Sequence, residues 1–454
     1  MQEQTVTNLI ASDRLTVVVG LGATGLSVAR FLAAQGESFV VVDSRAEPPG
    51  LAELRETLPD IMVELGGFNP ETLAAADRLV VSPGVPSDHS ALIEAVAQGA
   101  MLTSDIELFM AAAKAPVVAI TGSNGKSTVT TLLGEMAAAA GKNVGVGGNL
   151  GPPALDLLAA ERDLYVLELS SFQLELVDKL NAEVVTVLNV SADHMDRYSD
   201  MPAYHHAKHR IFRGAKKVVV NRDDALSQPL LPTSVATWSF GLGKPDLRGF
   251  GLLEKDGESY LAYEFEPLLP TSRLGIKGRH NVANALAAMA LAHAAGIAGD
   301  EMLQVLCQFT GLAHRCQTIA EIAGVSWIND SKATNCGATV AAIHGLANAG
   351  DMNLVLIAGG QGKGQDFSVL EAAAEGRVRS AILLGEDAHQ LGRGLPTGTE
   401  ILFADSMVSA VSLAAQRAGA DDMVLLSPAC ASFDMFSGFA ERGDSFIAAV
   451  EALC

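Results

Sequence analysis

The stretch Val117-Val-Ala-Ile-Thr-Gly-Ser-Asn-Gly-Lys-Ser-Thr128 constrains this chain more than any other. Its opening apolar run reads as a buried parallel strand. The turn through Gly122 and Gly125 breaks that strand, and a helix opens at Ser127-Thr128, with helical apolar spacing from Val129 to Ala140. A glycine-rich turn between strand and helix gathers backbone N–H groups at the positive end of the helix, where a phosphate is stabilised. Gly122, Ser123, Asn124 and Gly125 would form the cradle, with Thr128 closing it. Lys126 would reach the terminal phosphates and the Ser127 hydroxyl would hold Mg²⁺. Ile120 occupies the place of the first glycine of the usual phosphate loop, leaving a shorter T-G-x-x-G-K-S-T loop. An ordinary glycine turn with a surface lysine is the alternative. The loop predicts a nucleoside triphosphate such as ATP, and the strand–loop–helix unit predicts α/β layers.

Composition sets the frame. A chain of 454 residues has room for about three domains. Its 49% hydrophobic content can fill several cores, and abundant Gly and Ala with few aromatics suit close helix–sheet packing. A net charge of −21 argues against nucleic acid or an anionic membrane as partner, so anionic substrates must be held by locally placed Lys, Arg and helix N-termini. The cysteines Cys307, Cys316, Cys336, Cys430 and Cys454 lack metal-ligand spacing and read as reduced thiols of a cytoplasmic protein. Met1-Gln-Glu-Gln-Thr5 has neither the basic segment nor the apolar core of a signal peptide. The longest apolar stretch, 283–299, is interrupted by Asn284, His293 and Gly296 and reads as a soluble helix, with no membrane insertion.

Taken in order, the chain begins with a strand at 15–20 running into Gly20-Leu-Gly22-Ala-Thr-Gly25. A helix over 26–35 and a strand over 38–42 ending at Asp43 follow. This β–α–β unit with G-x-G-x-x-G suits a phosphate at the helix N-terminus and a ribose or base near Asp43. NAD is the usual inference. The Thr24 hydroxyl and Asp43-Ser44-Arg45 suit a UDP group equally well. A strand at 78–81 ends in Ser82-Pro83-Gly84, a second turn at the same sheet edge or a plain chain reversal. The segment 111–116 reads as an inter-domain connection.

Beyond the phosphate loop, strands at 164–167 and 184–188 lead into Glu168 and into Asn189-Val-Ser-Ala-Asp193-His194. Ligands sit at the carboxyl ends of strands in such sheets, so Glu168 and His194 could face Lys126 and hold metal; a helix cap and a satisfied turn histidine are the alternatives. A helix over 201–212 carries His205, His206, Lys208 and His209, spaced around it and read mostly as a solvated face. Asn281 and Asn284, one turn apart, could bond an adenine or a phosphate, unless Asn281 is an N-cap. Strands at 325–329, 354–358, 381–384 and 424–426 form a third α/β unit. Its polar strand ends carry Asp330, Lys332, Thr334, Lys363 and Ser432. Cys430 reads as a packed residue, with a nucleophile as the alternative.

T-G-S-N-G-K-S-T, E-L-S-S-F-Q-L-E, N-V-S-A-D-H-M-D-R, Y-H-H-A-K-H-R, G-R-H-N-V-A-N, N-D-S-K-A-T-N, G-G-Q-G-K-G and S-P-A-C-A-S-F-D, in this order over essentially the whole chain, resemble the Mur ligase family. The opening G-L-G-A-T-G-L-S with D-S-R and S-P-G points to the branch that adds D-glutamate to UDP-N-acetylmuramoyl-L-alanine. The resemblance implies three α/β domains: a Rossmann-like UDP-binding domain over 1–106, a central P-loop-type ATPase over 107–312, and a Rossmann-like domain for the incoming amino acid over 313–454. It implies an ATP-dependent amide ligase of peptidoglycan precursor synthesis, cytoplasmic and monomeric. Ala23, Thr24, Asp43, Ser44, Arg45 and Gly84 would hold UDP, and Asn149 and Gln173 the sugar-peptide. Arg315, Asp330 and Lys332 would join Asn281, Asn284 and the loop in binding ATP. Thr334, Lys363, Ser432, Phe433 and Phe439 would bind D-glutamate. Lys126, Glu168, His194 and Lys208 would be catalytic. Ser127, Glu168, His194 and Lys208, the last as a carbamate, would hold two Mg²⁺. Ala23 stands where a larger apolar residue is usual, and Phe433 where Leu is common. A different amino acid added by a related or folylpolyglutamate-type ligase, an NAD-dependent dehydrogenase, and a nucleotide switch are the rival readings.

Overall fold

Runs of β-branched residues without polar alternation make strands that need cover on both faces, which only a helix-flanked parallel sheet supplies. Thr16–Val19, Val117–Thr121 and Leu354–Gly359 are such runs, buried at every position. In the computed structural model, which describes residues 15–297 and 299–453, each lies inside one of three successive sheets. The readings made on Met1–Thr5 and on Cys454 lie outside the described residues.

The first sheet is wholly parallel, in the order Met62–Leu65, Phe39–Asp43, Thr16–Val19, Arg78–Val81, Met101–Thr103. The second has nine strands. Val144–Gly148, Leu164–Glu168, Val117–Thr121, Val184–Val187, Lys217–Asn221, Ala236–Phe240 and Gly249–Lys255 are parallel, and Glu258–Tyr263 and Glu266–Pro270 extend the sheet antiparallel. The third runs Gln317–Ile322, Val325–Asn329, Met423–Leu426, Leu354–Gly359, Val378–Leu384, Glu400–Phe403, with the first strand antiparallel. In the first sheet the chain builds one side of Thr16–Val19 and then crosses to the other, and in the second it does the same about Val117–Thr121, the arrangement that sets ligands at the carboxyl ends of the strands.

Several boundaries differ from the sequence reading. The phosphate-loop helix starts at Lys126, and the first glycine-turn helix at Ala23. The histidine-rich helix stops at His209 and tightens into a 3-10 turn over Arg210–Phe212. The antiparallel extension is absent from that reading, although Asp256-Gly257, both at positive φ, is the hairpin signal between Gly249–Lys255 and Glu258–Tyr263.

The first two sheets share one apolar core. Val18, Leu26 and Leu32 belong to the same buried cluster as Phe109, Tyr165 and Leu167, and Leu176 from the second region packs among Val17, Val19 and Leu79 of the first. Polar contacts pin the junction: the Ser27 hydroxyl and Arg30 each donate to Asp156, at 2.7 Å. The apolar clusters of the third sheet contain no residue before Cys316. No helix among the described residues is long and apolar enough to cross a membrane.

Asp105 lies at that junction, fully buried at the start of helix Asp105–Ala112 and facing Gln173. Burial pushes its carboxyl from 3.8 up to about 7. The folded chain therefore holds a proton here that the unfolded chain releases above its own lower pKa. Stability from this group is full in acid and lost as pH rises from about 4 to about 7, at a cost on the order of a few kcal/mol. Asp105→Asn should raise the melting temperature at pH 8 and leave it nearly unchanged near pH 4. An equal effect at both pH values would show that Asp105 does not titrate this way.

Candidate active site

The central crevice is built by the phosphate loop. Gly125 has φ of 80°, and a Cβ there would lie 2.4 Å from Asn284 Oδ1, so only glycine closes this turn. The Asn124 amide donates to Asn189 Oδ1 at 2.8 Å, and the Ser123 hydroxyl donates to the Ser191 carbonyl at 2.8 Å. Ser123 and Asn124 thus brace the loop against the neighbouring strand end. Lys126 curls over the loop, donating to the Gly122 and Ser123 carbonyls at 2.8 and 3.0 Å. Burial lowers its pKa, against the favourable charges of Glu168 and Asp193.

A cleft of about 620 Å³ opens over this loop between the second and third sheets. It gathers Ser123 to Thr128, Asn149, Glu168, His194, Lys208, Asn281, Asn284, Arg315, Asp330, Lys332, Thr334, Lys363, Ser432, Phe433 and Phe439. Gly122 does not line it. Ala23, Thr24, Asp43, Ser44, Arg45, Gly84 and Gln173 lie outside it.

Glu168 ends strand Leu164–Glu168 and caps no helix; Ser170 is the N-cap of Ser171–Glu175, in a capping box with Gln173. Asn149 Nδ2 donates to Glu168 Oε1 at 2.9 Å, while buried Oε2 has no hydrogen-bond partner. An orphaned buried carboxylate oxygen beside a phosphate loop and the Ser127 hydroxyl is the donor set Mg²⁺ takes up with phosphate oxygens and water. No three His, Cys, Asp or Glu side chains cluster as a metal site among the described residues. An ion here would therefore depend on Ser127, Glu168 and ligand oxygens.

Lys208 departs from the solvated-face reading. It is 2% exposed, donates to the Gly122 carbonyl at 2.9 Å and stands over the Tyr204 ring at 4.4 Å. Burial, reinforced by the Lys126 charge, holds its amine well below the ordinary lysine range. The helix carries His205 and His209 on one side, stacked at 3.8 Å, because residues four apart share a face. His194 packs edge-on against Phe172 at 4.8 Å, and burial pushes its imidazole down to about 4 despite Asp193. His194 and Lys363 both have φ between 50° and 60°, a strained backbone typical of functional loops.

From the third region, Arg315 reaches across to donate to Ser127 Oγ at 2.6 Å. Asn335 donates to Asp193 at 3.1 Å and to Asn124 at 3.3 Å. Lys332 lies over the Phe439 ring at 4.1 Å, its pKa brought by burial to about 8. Asp330 accepts from Ser427 Oγ and the Cys316 amide, and burial raises it to about 7. Asn281 is not the N-cap, which is Gly278; its side chain donates to the Lys277 carbonyl and accepts from Asn284. Cys430 is fully buried and its thiol is pushed up, the state of a packed residue.

At the first crevice, Ala23 is exposed at the start of its helix with Thr24 beside it, and Ser44, Arg45 and Gly84 are exposed on the flanking strand ends. Burial would raise the Asp43 pKa, but Arg45 and the Leu21 amide hold it below the usual range. The Leu21 amide donates to Asp43 at 2.7 Å and the Arg45 guanidinium at 2.7 and 2.9 Å. Asp43 therefore ties the glycine turn to the second strand.

Residues 14–104 match the family described as Mur ligase MurD-like, N-terminal domain, 120–292 the Mur ligase middle domain, and 314–430 the Mur ligase glutamate ligase domain. UDP-N-acetylmuramoylalanine--D-glutamate ligase of Pseudomonas savastanoi pathovar phaseolicola is 58% identical over 98% of this chain and 100% of its own length. The ligase of that name from Pseudomonas aeruginosa is 56% identical over the same shares. The chain belongs to the Mur ligase family.

Solved structures agree at the level of fold. UDP-N-acetylmuramate-alanine ligase from Thermotoga maritima superposes with a TM-score of 0.60 at 18% identity, over 97% of this chain and 100% of that one. A pseudomurein peptide ligase from Methanothermus fervidus gives 0.59 at 19%, over the same shares.

Residues that motif reading left without a role also shape this Mur ligase's cleft. Asp193 and Asn335 link the second and third regions; both lie inside quoted motifs, beside His194 and Thr334. Arg442, 2% exposed, donates to the Ser331, Cys430 and Ala431 carbonyls and so ties two strand ends of the third sheet. Nothing around it in sequence marks it.

Lys126→Ala should abolish ATP-dependent turnover while binding of a UDP-linked ligand at the first crevice, measured by calorimetry, stays within about twofold of the parent, since sites without shared partners act independently. Equal loss of both would show one continuous site.

Proposed function

We propose that this chain joins D-glutamate to the L-alanine carboxylate of UDP-N-acetylmuramoyl-L-alanine, converting ATP to ADP and phosphate, in the cytoplasmic assembly of a peptidoglycan precursor. The observation that carries the reading is the convergence in one cleft of Lys126, Glu168 and Lys208 from the second sheet with Lys363, Ser432 and Phe439 from the third. The first-domain crevice lies apart. Relatives at 58% identity bear the name of that ligase along their full length.

A carboxylate is a poor acyl donor. In the first step its oxygen attacks the γ-phosphorus of ATP, forming an acyl phosphate and releasing ADP. The D-glutamate amine then attacks the acyl carbon, a tetrahedral intermediate forms, and phosphate leaves as the C–N bond is completed with loss of the amine proton. The loop amides and Lys126 hold the triphosphate, and Arg315 and Lys332 flank it. Lys363 and Ser432 hold the carboxylates of the amino acid. The UDP group would sit at the first crevice over Thr24, Asp43, Ser44 and Gly84, with the sugar-peptide running past Asn149 and Gln173. Bound Mg²⁺, two ions in this reading, would lower the repulsion between carboxylate and γ-phosphate. Ser127 and Glu168 would hold one ion, and His194 with a carbamylated Lys208 the other. Water must be kept out, because the acyl phosphate would hydrolyse; the third domain closing over the second does this. All three parts lie on one chain, so a monomer is sufficient.

The deciding experiment is phosphate release from ATP. It should require both UDP-N-acetylmuramoyl-L-alanine and D-glutamate; release with neither present would point to a nucleotide switch. NAD should not compete with the UDP substrate in calorimetry, and competition would restore the dehydrogenase reading.

The Lys208 carbamate has a physical basis in the site. Burial holds the Lys208 amine well below the ordinary lysine range, which favours the uncharged form that takes up CO₂, and the carbamate supplies an anionic oxygen that Mg²⁺ prefers where an ammonium would repel it. Lys208→Ala should cripple turnover, and added acetate should partly restore it. Full activity of the alanine variant, in air and without CO₂, would remove Lys208 from the mechanism.

A further inference from the structure

Resting on the ligase reading above, we propose that Arg442 is a positioning residue for the incoming amino acid, setting from behind the segments that carry Lys363, Ser432 and Phe439. Arg442 lies in helix Phe439–Glu451 and is 2% exposed. Among the described residues its hydrogen bonds all run to carbonyls and one hydroxyl. Nη2 donates to the Ser331 carbonyl at 2.8 Å and Nε to the Ser331 hydroxyl at 3.0 Å. Nη1 donates to the Cys430 and Ala431 carbonyls at 3.1 and 3.3 Å, with the Gly359 carbonyl at 3.5 Å. The Ser331 hydroxyl in turn donates to the Phe439 carbonyl at 2.8 Å, which closes the ring on the helix start.

Carbonyl oxygens from the segments after Val325–Asn329 and Met423–Leu426, and from the end of Leu354–Gly359, thus gather around one buried guanidinium. Without a cation between them these like dipole ends would repel and lose a partner that burial makes necessary. What hangs on those carbonyls is the amino-acid side of the cleft. Ala431 precedes Ser432, and its amide and carbonyl pair with Gln361, two residues before Lys363, at 2.9 and 3.0 Å. The backbone there is strained: Ala429 and Lys363 have φ of 58° and 53°, conformations that persist only where the surroundings over-determine them. The nucleotide side has braces of its own. The Lys332 amide donates to the His314 carbonyl at 3.0 Å, and the Asp330 carboxylate accepts from the Cys316 amide and the Ser427 hydroxyl. Loss of Arg442 should therefore fall on the amino acid and spare ATP. A lysine cannot replace it, because an ammonium offers three donors from one point where the guanidinium offers five in a planar fork.

The test is steady-state turnover of the full chain, with KM measured for each of the three substrates below the melting temperature of each variant. Arg442→Lys should raise the KM for D-glutamate about tenfold or more and leave those for ATP and UDP-N-acetylmuramoyl-L-alanine within about twofold. Arg442→Met, which removes the charge as well, should raise it further. An arginine that serves the fold alone would give fewer folded molecules, a lower kcat and three unchanged KM values. That result overturns the proposal, and so does an equal rise in all three. If Arg442→Met does not fold, Arg442→Lys is read by the same comparison; if neither folds, Arg442 belongs to the fold and the proposal fails. A parent chain that releases no phosphate with D-glutamate would instead overturn the acceptor reading beneath it.

Discussion

Lys126, Lys208, Arg315, Lys332 and Lys363 converge on one cleft of a chain whose net charge is −21, and the burial of those basic groups governs the site. Burial is the leading cause of the lowered pKa at Lys126, Lys208, Arg315 and Lys332. Glu168 and Asp193 offset part of this cost but sit off the lysines, so the cluster remains short of anions. Its natural complement is a ligand with several negative charges, and a triphosphate and a dicarboxylate fit that need. Ligands that satisfy such a cluster bind the folded chain alone and should stabilise it by mass action.

The same electrostatics divide the architecture. The first two regions are joined by a shared apolar core and by the Asp156 contacts with Ser27 and Arg30. The third meets the second through Arg315, Asn335 and Lys363, which face the phosphate-loop Ser127 and Asp193. An apolar interface holds regardless of what is bound, whereas a polar one made of site residues changes strength with the ligand's charge. The first two domains are therefore joined through a shared apolar core, and the third meets the second through polar side chains that line the cleft.

How much of this was legible in the sequence depended on whether the signal was local. The phosphate loop, the G-x-G-x-x-G turn and the polar strand ends could be read because their chemistry is contained within a few residues, and buried parallel strands announce themselves by composition. Lys208 could not be placed from spacing, since its helix is polar and the group that buries it, the Gly122 turn, is 86 residues away. Arg442 failed to register for the same reason: its partners come from two distant strand ends. Asn281 was open between cap and ligand because the helix start depends on Gly278, whose φ of 96° sequence alone does not reveal. The Asp256-Gly257 hairpin is different, a local signal that was there to be used.

Chain order and chemistry also correspond. The proposed substrate is laid out in the same order: nucleotide handle at the first domain, then activated carboxylate and incoming amine together in the cleft between the second and third. In the proposed mechanism the acyl phosphate forms over the phosphate loop and is consumed by an amine held against it from the third-domain side of the same cleft. Any gap between those domains would admit water, a competing nucleophile at far higher concentration. The bridge from Asp193 to Asn335 and Lys363 lies on that seam. Contacts made from both sides of it would tie closure to occupancy of the cleft, so that the reactive intermediate is shielded while its acceptor is in place.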